Sequence, residues 1–116
     1  MQRQEALNDS LIGKAAEFYK LANEQYLVGE KHEEGYEKAL IDAYKDYSEA
    51  IKTASKVKGR NVPTLQFVKG RDKAKLALQV AKDEFETKDK SFEEERMGEV
   101  AQEFLKRADE INKLFK

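Results

Sequence analysis

The chain has 116 residues, of which 40% are hydrophobic and 39% are charged, and its formal net charge is −1. This length suits one modest core, so we expect residues 1–116 to form a single helical-bundle domain. The near-zero net charge excludes a general electrostatic attraction to nucleic acid or to membranes.

Cysteine is absent from the chain, which excludes disulfides, a thiolate nucleophile and cysteine-based metal sites. The first residues, MQRQEALNDSLIG, contain no apolar run of signal-peptide length. No segment approaches the roughly 18 apolar residues of a membrane span. We therefore expect a cytoplasmic protein without membrane contact, for which a reducing compartment is permitted.

The first helical segment is predicted from apolar residues that recur every three or four positions. This spacing runs from Ile12 to Tyr26, which is the pattern of one buried helix face. Asn, Asp and Ser at positions 8–10 favour helix starts, and Gly29 suits a helix end. We therefore predict a helix that begins near positions 8–10 and ends at Gly29.

The second helical segment shows the same spacing over three heptads, from Tyr36 to Val57. Gly59 follows and is suited to the left-handed conformation that ends many helices. Pro63, the only proline, fits the first turn of the next helix. The stretch VKGRNVPTLQFVKGR, residues 57–71, contains one tetrapeptide twice and is therefore predicted to hold the connection between two helices.

The second half of the chain predicts one or two further helices. One apolar stripe ends at Phe85, and another begins at Met97 in a different register. The pattern SFEE at residues 91–94 is typical of a capped helix start. We therefore favour a turn near residues 88–91. One continuous helix is the alternative, because neither glycine nor proline separates the two stripes.

Heptad spacing packs helices at shallow angles, and short connections make successive helices antiparallel. The sequence therefore predicts an all-α, up-down antiparallel helical bundle with coiled-coil-like heptads. It has four helices, or three if the last two are continuous. In the last helix Val100, Leu105 and Leu114 flank the main stripe. They contact a second neighbour in a four-helix bundle, or form a candidate partner surface in a three-helix one.

Positive charge is concentrated in the middle of the chain. Residues 52–75 contain eight lysines or arginines and one acid, whereas residues 30–49 and 82–103 are acidic. In an up-down bundle the connection at residues 57–71 lies at one end, and the turns near residues 29–34 and 88–91 lie at the other. One end is therefore expected to be basic and the other acidic. Cations beside flexible glycines can hold phosphates or carboxylates, although a basic turn with solvated charges is favoured. The candidate site for an anionic partner comprises Lys58, Arg60, Lys69, Arg71 and Lys73.

No catalytic site, metal site or cofactor is predicted. His32 is the only histidine and lies in an expected loop. Glu33, Glu34 and Glu37 resemble the E-E-x-x-E half-motif of the all-alpha nucleotide pyrophosphohydrolases, which hold magnesium between helices. The second half of that motif, E-x-x-D, occurs only at residues 86–89, in the expected turn. A solvated acidic face is favoured, and a magnesium-dependent hydrolase is a distant alternative.

Two further patterns bear on binding. The stretch EGYEKALIDAY, residues 34–44, resembles the G-x-Y-x-x-A-L sequence motif found in the helical hairpins of tetratricopeptide and microtubule-interacting domains. It occurs once, whereas solenoids need about three repeats or more, so no family follows from it. All five tyrosines lie in the first two predicted helices, where they form either a core with outward hydroxyl groups or a groove for a partner.

Taken together, these patterns favour a small, non-enzymatic helical bundle that acts through contact with another protein or with itself. An adaptor, a chaperone-like protein and a regulatory protein all fit this description. Nucleic-acid binding through the basic segment 52–75 is the alternative.

Overall fold

The computed structural model describes the backbone of residues 2–94 and 98–115, and the side chains of residues 3–87 and 102–115. The predicted all-α fold is confirmed, because these residues form four helices and no strand. None of the helices is both long enough and apolar enough, in this part of the chain, to cross a bilayer. The helices are α1 (Gln2–Glu30), α2 (Tyr36–Ser55), α3 (Leu65–Glu94) and α4 (Gly98–Leu114).

The chain folds as two compact units, residues 1–74 and 75–116, and the boundary falls inside α3. The first unit contains α1, α2 and the start of α3. The second contains the rest of α3 and α4. The prediction that residues 1–116 behave as one domain stays a prediction.

Helix α1 begins at Gln2, earlier than the predicted start at positions 8–10. The reason is that Asn8 does not cap the helix: its side chain is buried, and its amide nitrogen donates to the Lys58 carbonyl at 2.9 Å. Gly29 does not end the helix either, because α1 runs to Glu30. A side chain at Gly29 would collide with Leu40 of α2, so this glycine permits close helix packing.

The connection between α2 and α3 differs from its prediction in detail. Helix α2 ends at Ser55, and Gly59 adopts the predicted left-handed conformation with φ 76°. Pro63 lies two residues before α3 rather than in its first turn. The first helical hydrogen bond of α3 is donated by the Val68 amide to the Thr64 carbonyl at 3.0 Å, so Thr64 is the cap residue.

The predicted turn near residues 88–91 is wrong. Helix α3 continues through these residues to Glu94, and the SFEE pattern at 91–94 forms its last turn instead of a new start. Inside α3 the Thr87 hydroxyl donates to the Asp83 carbonyl at 2.8 Å, so a residue expected to favour a turn is satisfied within the helix. Helix α4 begins at Gly98. Residues 95–97, which include Met97, fall outside the described residues.

In the first unit, α1 and α2 pack closely because small residues line their contact. Ala15 and Ala22 of α1 and Ala43 and Ala50 of α2 are all fully or almost fully buried. Small side chains at these four positions let the two backbones approach each other. The two helices are antiparallel, since residues 31–35 form a short connection.

The start of α3 completes this unit and runs parallel to α1. Near its first turn the Phe67 ring lies 5.0 Å from the Tyr19 ring, and further along the Lys73 ammonium lies 5.8 Å from the centre of the Tyr26 ring. Both contacts advance along α1 and α3 in the same direction. The first unit is therefore an up-down-up arrangement of three helices.

The second unit is a helical hairpin built from the end of α3 and from α4. Phe85 is buried, and its ring stacks on the Phe104 ring with centroids 5.8 Å apart. The Arg107 guanidinium lies 4.3 Å from the centre of the Phe85 ring. At the other end of the hairpin, the Lys75 ammonium lies 5.5 Å from the centre of the Phe115 ring. These pairings make the two segments antiparallel.

Candidate functional site

A groove of about 410 Å³ opens on the first unit, where α1, α2 and the start of α3 meet. Three of the five tyrosines line it. Two lysines and one glutamate supply charge. These residues are Tyr19, Tyr26, Tyr47, Lys69, Lys73 and Glu30.

Tyr47 forms the floor of the groove. Its side chain is only 3% exposed, and its hydroxyl donates to the Asn23 Oδ1 atom at 2.5 Å. Burial raises the pKa of Tyr47 to about 12, with smaller contributions from Tyr19, Tyr26 and the Glu30 carboxylate. The phenol is therefore neutral at physiological pH and acts as a fixed hydrogen-bonded surface, not as a base.

Gly70 brings α3 against that floor. A Cβ atom at this position would lie 2.6 Å from Cζ of the Tyr47 ring, well inside van der Waals contact. Only glycine lets the α3 backbone rest on the ring. The two copies of Val-Lys-Gly-Arg therefore need glycine for different reasons: Gly59 for its left-handed backbone, and Gly70 for space.

Two half-buried tyrosines form the walls of the groove. The Tyr19 ring is tilted against Tyr47, with centroids 5.9 Å apart. Burial raises the pKa of Tyr26, and the neighbouring Glu30 carboxylate raises it further. Lys73 lies over the Tyr26 ring and places a cation beside this aromatic wall. The groove thus offers rigid aromatic faces with polar edges.

Lys69 and Lys73 are the two predicted anion-site residues that the structure brings together. They lie one turn apart on α3, are both exposed, and both line the groove. Arg71 lies about 200° around the helix from each of them. Its Nε atom faces the Asp72 carboxylate at 3.5 Å. Arg71 therefore does not join the two lysines.

The other two predicted anion-site residues lie in the connection between α2 and α3, beside the N-terminal part of α1. The backbone amide and carbonyl of Lys58 form hydrogen bonds with the Asn8 side chain. Arg60 forms an ion pair with the Asp9 carboxylate at 3.2 Å. Asp9 and Tyr26 are separated along α1 by about 25 Å, at 1.5 Å per helical residue. The basic residues therefore form separate groups rather than one cluster. The predicted acidic pole was expected to include a turn at residues 88–91. These residues are helical, so they form no turn at that end of a bundle.

The predicted partner surface on the last helix does not form one patch. Leu105 is exposed and Leu114 is half-buried. Nine residues separate them, so they lie about 180° apart around α4. The side chain of Val100 lies outside the described part of the chain.

The three glutamates of the E-E-x-x-E half-motif differ in their exposure to solvent. Glu37 is buried at the start of α2, whereas Glu33 and Glu34 are exposed in the connection before it. His32 is exposed, and its ring contacts Tyr36 edge-on at 4.5 Å. Across the residues that the structure describes, no group of three histidine or acidic side chains is placed to hold a metal ion.

No family model, curated protein or solved structure matches the chain. The fold and the groove alone therefore define its class: an all-α protein with a tyrosine-lined groove between three helices. Sequence reasoning missed Asn23 and Gly70, which position the floor of this groove. The one available signal was a glycine inside a helical pattern, which often marks a packing contact.

Proposed function

We propose that this chain is a non-enzymatic binding protein that holds an acidic segment of another protein in the tyrosine groove. An adaptor, chaperone-like or regulatory role in the cytoplasm fits this activity. The observation that carries the proposal is the combination of three tyrosines with two exposed lysines around one groove. Tyrosine is enriched where proteins bind one another, because it gives a large contact area and loses little conformational freedom.

The groove chemistry supports an acidic segment. Lys69 and Lys73 are the cations at its α3 edge, and a carboxylate between them gains charge-assisted hydrogen bonds. Glu30, on the α1 side, repels a second carboxylate there and favours an apolar or cationic side chain. The proposed segment therefore has an acidic residue at the lysine edge and an aromatic or aliphatic residue on the tyrosines.

A display library of short random peptides tests this proposal. Selection on the purified protein should enrich peptides that pair an acidic residue with an aromatic or aliphatic one. The enriched peptide, measured by calorimetry, should lose most of its affinity for the Lys69→Glu/Lys73→Glu variant. The matched control is Lys38→Glu/Lys45→Glu on the exposed face of α2. Peptides without acidic residues, or equal binding to both variants, would overturn the proposal.

Nucleic-acid binding through residues 52–75 has weaker support, because the cations of this segment fall into separate groups. Two phosphate contacts at Lys69 and Lys73 would give a log-log salt slope of about −2 on duplex DNA. Titration of labelled oligonucleotides at two salt concentrations distinguishes this outcome. Tight binding with a steeper slope would require the separate cations to act together and would favour nucleic acid.

A further inference from the structure

The tyrosine groove carries its charges in a fixed order along its length. On α1 its lining runs from Tyr19 to Glu30, which spans about 16 Å at 1.5 Å per helical residue. Because α1 and α3 are parallel, positions along the two helices can be compared. The Phe67 ring packs near Tyr19, and the Lys73 ammonium lies over the Tyr26 ring. The two groove lysines therefore lie near its middle, and Glu30 lies about 6 Å beyond Tyr26, at the far end.

Negative charge is concentrated at this far end. Burial raises the pKa of Tyr26, and the charge of the Glu30 carboxylate and a hydrogen bond from the Tyr26 hydroxyl to it raise that pKa further. The hydrogen bond holds the carboxylate beside the aromatic wall. Glu30 is also the last residue of α1, and the C-terminus of a helix carries a partial negative charge. The last turn of α1 contains no basic residue to offset that charge.

The opposite charges of the groove do not neutralise each other. Lys73 and Glu30 both interact with Tyr26, the first at the ring face and the second at the hydroxyl group. In the described part of the chain, Glu30 forms no ion pair with a lysine or arginine. Within the same residues, neither Lys69 nor Lys73 forms one with a carboxylate. Both signs of charge are therefore open to a bound molecule.

We propose that the far end of the groove is a cation subsite, which takes a lysine or arginine side chain of the bound segment. This inference rests on the proposed function, because it adds a second charge to the same acidic segment. With the acidic residue at Lys69 and Lys73, a cation about 6 Å further along meets the Glu30 carboxylate. In an extended chain, residues two positions apart face the same way and are separated by about 7 Å. The basic residue therefore lies two positions from the acidic one.

The same spacing places the apolar residue on the other side of the acidic one. Tyr19, at the opposite end of the groove from Glu30, forms an aromatic surface with Tyr47, and their ring centroids are 5.9 Å apart. Three side chains at alternate positions of an extended segment span about 13 Å. The groove, about 16 Å long, accommodates all three. The proposed segment therefore has an apolar, an acidic and a basic residue at alternate positions, in that order or its reverse.

The surroundings of Glu30 suit a long basic side chain. Leu27, which is 59% exposed, lines the groove one turn before Glu30 and extends the apolar surface of Tyr26. Lysine and arginine pack their aliphatic stems on such surfaces and keep the charged head beyond them. A carboxylate at the same place would meet both Glu30 and the negative end of α1. Charge complementarity therefore selects a basic residue there.

A peptide library with one fixed glutamate and random residues on both sides tests the subsite separately from the groove. Selection on the purified protein should enrich lysine or arginine two positions from the glutamate, on the side opposite the enriched apolar residue. Selection on the Glu30→Lys variant should remove the basic preference and keep the apolar one. An apolar preference without a basic one on the wild type would overturn the cation subsite and leave the proposed function standing. A library without any enriched peptide would overturn both.

Calorimetry with the selected peptide measures the size of the effect. Glu30→Gln should weaken binding by about threefold to fivefold, as expected for the loss of one solvated ion pair. Glu30→Lys should weaken it further, and a peptide with glutamate in place of its basic residue should bind this variant better than it binds the wild type. Lysine is favourable at the end of a helix, so the variant should stay folded.

The matched control is Glu24→Lys. It makes the same change at an exposed glutamate of α1 that lies about 120° around the helix from Glu30. This variant should bind the selected peptide as the wild type does. Equal affinity of the wild type and the Glu30→Lys variant for that peptide would refute the subsite.

Discussion

Replacing Gly70 with alanine should destabilise this protein, although the same change stabilises most helices. In an unhindered helix the substitution gains about 1 kcal/mol, because alanine loses less backbone entropy than glycine. At Gly70 the added methyl group would overlap the Tyr47 ring, whose Cζ atom lies 2.6 Å from the Cβ position. The ring is buried and cannot swing into solvent.

The size of this effect follows from three contributions. Overpacking of a buried site costs about 1–3 kcal/mol. Displacing the Tyr47 ring also weakens the hydrogen bond from its hydroxyl to Asn23, which contributes about 1 kcal/mol. Subtracting the gain in helix propensity leaves a net destabilisation of about 1–3 kcal/mol.

Urea denaturation followed by circular dichroism measures this change, and Gly13→Ala provides a matched control. Gly13 lies in α1 and has no atom within 4 Å of its Cβ position. Its replacement should stabilise the protein by about 0.5–1 kcal/mol. The two identical substitutions should therefore have opposite signs. If both stabilise the protein equally, α3 does not rest on the Tyr47 ring.

The remaining predictions concern the groove and the two units. The pKa of Tyr47 is raised from 10 to about 12. The stability that the neutral Tyr47 phenol contributes should therefore be complete below pH 10 and be lost as the pH rises towards 12. Ultraviolet titration should show one tyrosine that ionises late. Phe85→Ala should destabilise by about 3–5 kcal/mol in urea titrations, and the half-buried Phe104 should give a smaller loss; the reverse order would contradict the packing. Asn8→Asp should destabilise by about 1–3 kcal/mol, because a carboxylate cannot donate to the Lys58 carbonyl; an unchanged denaturation midpoint would show that this hydrogen bond contributes nothing.

The inward faces of the helices were predictable from the sequence because heptad spacing reports burial directly. Ala22, Ala43 and Tyr47 all lie on predicted stripes and are all buried. Helix ends were less predictable, since they depend on contacts made elsewhere in the fold. Asn8 resembles a cap in sequence but binds the backbone fifty residues away. The position of this partner cannot be read from local sequence.

The site was predictable only in part, for a similar reason. The tyrosines and the lysines were identified as separate features, yet nothing in their spacing placed Lys69 and Lys73 beside Tyr26 and Tyr47. That arrangement depends on the close approach of α3 at Gly70. The candidate cluster also included Arg60, which neutralises Asp9 instead. Charge density along the chain does not specify which side chains meet in the fold.

The contact between Gly70 and Tyr47 links these two positions into a unit that can change only as a pair. A chain with the same helices but with alanine or serine at position 70 would need a smaller residue at position 47. It would then lack the hydroxyl that binds Asn23, and with it the floor of the groove. Glycine and tyrosine together at these positions therefore form a sequence signature, which would distinguish chains that retain the groove from chains that retain only the helical scaffold.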